Sequence, residues 1–171
     1  MNDLCVKYYG KHQGRVVSNV DPEQRGRLLV QVPDVTGEDL STWALPCMPV
    51  GGLRNGMFAL PAVGSQVWVE YEQGDSDYPV WVGSFWGQGE APPLALDTPP
   101  GVGAITLQTP LQNGLTISDL PGPSGGIQIR SAGGATLIVN DTGIYVDNGK
   151  GAKVTLIGPT VDVNDGALKV T

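Results

Sequence analysis

Gln66-Val67-Trp68-Val69-Glu70-Tyr71 and Pro79-Val80-Trp81-Val82-Gly83 are the two runs on which the fold turns. Both alternate with the period of two that marks a strand with one buried face. Gly74-Asp75-Ser76-Asp77 lies between them and supplies the residues of a tight connection, so the two runs read as a hairpin. The same alternation continues toward the N-terminus in Gly14 to Val20 and Arg27 to Val32, joined through Asp21 to Gly26, and a fifth strand fits Thr42 to Cys47. Prolines 46, 49 and 61 and glycines 51, 52, 56 and 64 break every window that could hold three helical turns. Five short strands with aromatic core positions predict a small closed barrel, because closure removes unpaired edges.

Ten of the eleven aromatic residues precede residue 90; beyond it only Tyr145 remains. Two modules follow, residues 1–89 and 104–171. The stretch 90–103, with Pro92, Pro93, Pro99 and Pro100, reads as a short, stiff, extended linker. In the second module short apolar pairs recur: Ile105/Leu107, Leu115/Ile117, Ile127/Ile129, Leu137/Val139, Ile144/Val146, Val154/Leu156, Val161/Val163 and Leu168/Val170. They predict very short strands with one aliphatic stripe. Their spacing of 7 to 12 residues lacks the strict hexapeptide period of a single-chain solenoid. A strand with two apolar residues makes no core alone, and the module has no aromatics to fill a sandwich. Three copies wound around one axis would supply the missing walls, with these sixteen residues as the trimer core. Eight layers at strand spacing give a needle of roughly 38 Å, stiffened by β-pairing between chains. The predicted fold class is therefore all-β: a small closed barrel followed by a trimeric, intertwined β-prism.

Composition narrows the function. The 171 residues hold 10 Lys+Arg against 17 Asp+Glu, a net charge of −7, so the electrostatic attraction of a nucleic-acid or anionic-membrane binder is missing. Residues 1–90 alone carry 6 basic and 11 acidic side chains, which argues against Trp43, Tyr71 and Trp81 forming a stacking platform for single strands. Core packing and subunit contacts are the better use of those rings. Two cysteines, Cys5 and Cys47, allow one disulfide at most, and the single histidine, His12, has no nucleophile or carboxylate partner in the sequence. His12 therefore reads as a surface or subunit-contact residue, and Glu70, Glu72, Asp75 and Asp77 as solvated charges, with Glu70 and Glu72 pointing out of the barrel. The glycine pairs at 51–52, 125–126 and 133–134 lack the phosphate-loop pattern and read as turns. No enzyme, cofactor or metal site is expected. The N-terminus shows no signal peptide and no span of membrane length, predicting synthesis in the cytoplasm.

The segments Tyr9-Gly10-Lys11-His12-Gln13-Gly14-Arg15-Val16, Asp21-Pro22-Glu23-Gln24-Arg25-Gly26-Arg27-Leu28, Ser41-Thr42-Trp43-Ala44-Leu45-Pro46 and Leu60-Pro61-Ala62-Val63-Gly64-Ser65-Gln66-Val67-Trp68-Val69, followed by Pro79-Val80-Trp81-Val82-Gly83, resemble the OB-fold domain of contractile-tail spikes. That group includes phage baseplate assembly protein V, the central spikes of myoviruses and the valine-glycine repeat proteins of type VI secretion. The resemblance covers residues 8–87, and the second module is similar in kind to the family's trimeric β-helix. It implies a structural central spike in a virion baseplate or phage-tail-like particle, one that pierces the target envelope and plugs the tail tube. Its implied partners are two further copies, a separate hub protein, the tail tube and, transiently, the target membrane. Tyr8, Tyr9, Arg54 and Phe58, near the barrel ends, are then the candidates for hub contact.

Departures from the family pattern add expectations. The linker has no room for the lysozyme domain some spikes carry, and the chain lacks the large N-terminal hub region of type VI spikes. The tip lacks the His-x-His motif that holds iron in several phage spikes, so it is bare or capped by a separate PAAR-like protein. Two rival readings remain: an OB-fold nucleic-acid binder with a trimerising tail, and a carbohydrate-directed fibre tip. The second should place aromatics or paired carboxylates along the needle, where only Tyr145 and scattered aspartates occur.

Overall fold

The computed structural model describes residues 6–170 and divides into two compact units that meet at Gly89/Glu90. Cys5, one half of the only disulfide the sequence allows, lies outside the described residues; Cys47 is exposed and free.

The first unit contains β1 (His12–Ser18), β2 (Leu29–Gln31), the helical turn α1 (Pro33–Thr36), β3 (Leu45–Pro46), β4 (Gly51–Gly52), β5 (Asn55–Gly56), β6 (Gln66–Tyr71) and β7 (Pro79–Phe85). Five strands form one sheet in the order β2-β1-β6-β7-β3. The register shifts between Val16 and Ser18 on β1 and between Trp68 and Val69 against β7, two bulges that curl the sheet. Leu28 and Ala44, each just before an edge strand, exchange N–H···O=C bonds of 3.0 and 2.8 Å, which ties the two edges together. Val16, Leu28, Val30, Val32, Ala44, Val67, Val69, Tyr71 and Trp81 fill the interior. The five expected strands are therefore present. Because Val67, Val69 and Tyr71 take the inner positions, Trp68 falls on the outer face, where it meets Phe85 at 4.6 Å. Glu70 shares that outer face, paired with Lys11, and Trp86 is exposed.

The second unit opens with a helical turn, α2 (Pro93–Leu96), where the sequence suggested an extended linker. Pro93 starts the turn as proline favours, and Leu94 is buried, its N–H donating to Gln108 Oε1 at 2.9 Å. Next come β8 (Ala104–Gln108), β9 (Gly114–Ser118), β10 (Gly126–Arg130), β11 (Thr136–Asn140), β12 (Gly143–Asp147), β13 (Lys153–Ile157), β14 (Thr160–Val163) and β15 (Leu168–Val170). Each expected apolar pair occupies one strand. The eight strands form one antiparallel meander in sequence order. This corrects the expectation of β-pairing between intertwined chains. Strands β9 to β14 have both edges occupied by neighbours in their own chain, so three copies can meet through side chains in the manner of a prism but not by exchanging strands there.

Side-chain oxygens hold the turns. Asn140 Oδ1 accepts from the N–H groups of Thr142 and Gly143, and Asn148 Oδ1 from those of Lys150 and Ala152. Alternate turns are also linked along each edge: Ala132 N–H donates to Asn113 Oδ1 at 3.0 Å on one, and Gly122 N–H to Asp141 Oδ2 at 3.1 Å on the other. Gly126 (φ +80) enters β10 where a Cβ would lie 2.2 Å from the Val139 carbonyl oxygen, leaving room for glycine alone.

Candidate functional site

Strand alternation puts both residues of every apolar pair on one face of the meander, and the register aligns them from strand to strand. Ile105, Ile117, Ile127, Val139, Ile144, Leu156, Val161 and Val170 stand opposite one another in one file. Leu107, Leu115, Ile129, Leu137, Val146, Val154, Val163 and Leu168 form the second. None of the sixteen is buried within its own chain; Ile105 is 62% exposed and Leu168 60%. An open groove of about 600 Å³ runs over Ile129, Leu137, Val146, Val154 and Val163. A continuous aliphatic face of this extent is far larger than the scattered apolar exposure of a monomer and marks an interface. The opposite face is more polar, with Thr106, Thr116, Gln128 and Thr155 alongside Ile138 and Tyr145, and residues 94–98 cover part of it through Leu94 and an Asp97–Arg130 ion pair at 3.3 Å.

On the barrel the β4–β5 hairpin is an exposed apolar feature. Leu53 at its tip is 91% exposed, Val50, Met57 and Phe58 flank it, and Arg25 and Arg54 line the same depression of about 570 Å³. Sequence reading picked out Arg54 and Phe58 but missed Leu53 and the hairpin, because its two-residue connection is Leu53-Arg54, with Gly51-Gly52 and Asn55-Gly56 as the paired strands, and so lacks the usual turn signature. Of the other two hub candidates, Tyr9 is exposed, whereas Tyr8 is half buried against the core.

His12, read from the sequence as a surface or subunit-contact residue, is half buried. It packs edge-on against Tyr8 and Tyr71, at ring-centroid distances of 6.1 and 5.6 Å, with its Nε2 buried. Tyr71 Oη is buried beside it with no hydrogen-bond partner among the described residues, and burial, reinforced by Tyr8, pushes the Tyr71 hydroxyl up to about 12. A folded-state value above the ordinary 10.0 means that the stability contributed by the neutral phenol is complete below pH 10 and lost as pH rises toward 12. Tyr71→Phe removes an unsatisfied hydroxyl and should change stability at neutral pH by less than about 1 kcal/mol. The variant should also flatten the alkaline limb, which denaturant titrations at several pH values will read.

Asp21 organises the loop between β1 and β2. Its carboxylate accepts the backbone N–H groups of Glu23, Arg25 and Arg27 and both Nε and Nη2 of the Arg27 guanidinium, the last at 2.6 Å. Arg27 in turn lies 5.3 Å from the Trp43 ring centroid. The guanidinium first, and then the backbone donors, hold the Asp21 carboxyl well below the usual carboxylate range against the opposing effect of burial. The stabilisation is present above the ordinary aspartate value of about 3.8 and is lost as pH falls through the depressed folded-state value. Asp21→Asn should therefore lower the barrel's Tm by several degrees at neutral pH. The deficit should begin to close only below about pH 3.8, as thermal melts across an acid series will show.

Trp81 is 4% exposed and donates from Nε1 to the Gly26 carbonyl at 3.1 Å. With Tyr71 also buried and Trp43 under Arg27, the three rings do not form an open stacking platform. Among the described residues no helix is long and apolar enough to cross a membrane.

Comparison with known families agrees with this division. Residues 12–86 match the type VI secretion system/phage-baseplate injector OB domain, and residues 104–169 match the phage baseplate V C-terminal trimerisation domain. Both descriptions name structural parts of a baseplate and neither names a catalytic activity. No curated protein matches the chain. The barrel is thus the injector OB domain, the meander with its uncovered aliphatic face is the trimerisation domain, and the chain belongs to the phage baseplate V family of contractile-tail spike components, which assemble as homotrimers.

Proposed function

We propose that three copies bring their aliphatic faces together on a common axis and form the central spike of a contractile injection particle, a non-enzymatic device that pierces the target envelope and plugs the tail tube. The observation that carries this reading is the pair of eight-residue files, all sixteen side chains uncovered in the single chain. Removing the remaining exposed area of each gains about 1 kcal/mol, or on the order of 15 kcal/mol per chain before ordering costs, comparable to the stability of a whole domain. The aliphatic content supports a taper: β8, β9 and β10 carry Ile or Leu at every inward position, whereas each strand from β11 to β15 carries at least one Val. Smaller side chains bring three sheets closer, so the prism narrows away from β8. Stiffness comes from the intrachain ladder of hydrogen bonds running strand to strand, and sheath contraction supplies the force.

The barrel is the docking base. Leu53 and Arg54 on the β4–β5 hairpin, with Phe58 just after it, present an apolar and cationic surface suited to a separate hub at the end of the tail tube, and the exposed Tyr9 ahead of β1 is a separate candidate contact. Whether the tip is bare or capped by a further protein does not alter that division. Residues 1–89 form the barrel and 104–171 the needle. Residues 90–103 belong with the needle in any expression experiment, since Leu94 packs over β8 and β9. A fragment of residues 90–171 should be trimeric by light scattering and fail to bind the hub. A fragment of residues 1–89 should lose trimer stability and bind the hub weakly, as separated sites lose avidity. Hub binding by the needle fragment and not by the barrel would invert the orientation.

A further inference from the structure

Asn55-Gly56, Asn113-Gly114 and Asn148-Gly149 are the three Asn-Gly steps of the chain. At such a step the glycine backbone nitrogen, once deprotonated, can attack the asparagine Cγ. The Cγ–Nδ2 bond breaks, Nδ2 leaves as ammonia, and water opens the resulting five-membered imide to aspartate or isoaspartate. The reaction needs a free glycine N–H and a backbone able to fold onto the side chain.

The fold treats the three steps differently. Asn113 is held by Ala132 N–H on Oδ1 at 3.0 Å and by Thr109 Oγ1 at 3.4 Å, and Gly114 is paired with strands on both sides, opposite Gln108 and Arg130. Asn148 Oδ1 accepts two backbone N–H groups, and the nucleophilic nitrogen of Gly149 is itself engaged, donating to Asp147 Oδ1 at 2.6 Å. Asn55 has neither restraint. It is exposed, its amide lies over Gly52, and among the described residues that amide has no comparable hydrogen bond. The ladder puts Gly56 opposite Gly51, while Met57 N–H donates to Val50 O at 3.0 Å. Since antiparallel strands alternate which N–H faces the partner, Gly56 N–H points away from β4. The hairpin is a separate two-stranded sheet, a structure only marginally stable by itself and therefore quick to open locally.

We propose that Asn55 is a site of spontaneous deamidation, giving aspartate or isoaspartate on the exposed hairpin. The product carboxylate would stand beside Arg54, and the isoaspartate form would add a methylene to the backbone and displace the turn. This inference is independent of the spike reading. Full-length protein aged in mildly alkaline buffer and analysed by peptide mapping should gain one mass unit at Asn55 about tenfold or more faster than at Asn113 or Asn148. In denaturant the three rates should converge, because the Asn-Gly step is then the same, and Asn55→Gln should lose the signal. Modification of Asn113 or Asn148 at the Asn55 rate in the folded protein would overturn the proposal. So would an unchanged Asn55 in the folded protein alongside its modification in the denatured chain.

Discussion

Ile144→Asp should abolish the trimer. Ile144 lies in the middle of one aliphatic file, opposite Val139 on one side and Leu156 on the other, and a three-fold assembly brings three such positions together in a narrow apolar interior. Ionised carboxylates there would be desolvated beside one another, which is costly unless they are neutralised. The expected readout at neutral pH is a fall in light-scattering mass from about three times 17.9 kDa toward a single chain. Acid should partly restore assembly, because protonation removes the charge. Tyr145→Asp, on the opposite face, should leave the mass unchanged. An intact, equally heat-stable Ile144→Asp trimer would mean that the other face is the one turned to the axis.

The second large effect belongs to the barrel. Trp81→Ala should cost about 3–5 kcal/mol, the usual range for deleting a buried large aromatic. The ring fills the interior, and its Nε1 tethers the Gly26 carbonyl at the end of the Asp21 loop. Leaving that carbonyl without its donor adds to the cavity. Chemical denaturation monitored on the barrel should show the loss, while the trimer mass should persist because the needle is untouched. Trp86→Ala, exposed on the surface, is the control and should shift the midpoint little.

Much of this architecture is legible in local pattern. The eight aliphatic pairs each became one strand because a period-two stripe bounded by Gly, Asn, Asp and Pro needs no distant information. The chain partner of each strand was also within reach of the sequence. Asn140 and Gly143 end two consecutive strands with only Asp141 and Thr142 between them, and so short a loop permits an antiparallel hairpin within one chain and nothing intertwined. The four prolines of residues 90–103 misled in a similar way: Pro93 at a first helical position starts a turn as readily as it extends a chain. Asp21 was visible only as a charge near Arg25 and Arg27. That its single carboxylate gathers three backbone donors and a guanidinium depends on the loop's path.

What the sequence determined by itself is the two-module plan, the all-β class, the strands and the aliphatic face, since each follows from short-range periodicity and from the uneven distribution of aromatics. Tertiary structure alone decided which aromatic rings face inward, how His12 is enclosed by Tyr8 and Tyr71, and that Leu28 and Ala44 close the barrel. Those outcomes depend on register between segments far apart in the chain, where a one-residue slip or a bulge exchanges the inner and outer faces of a strand.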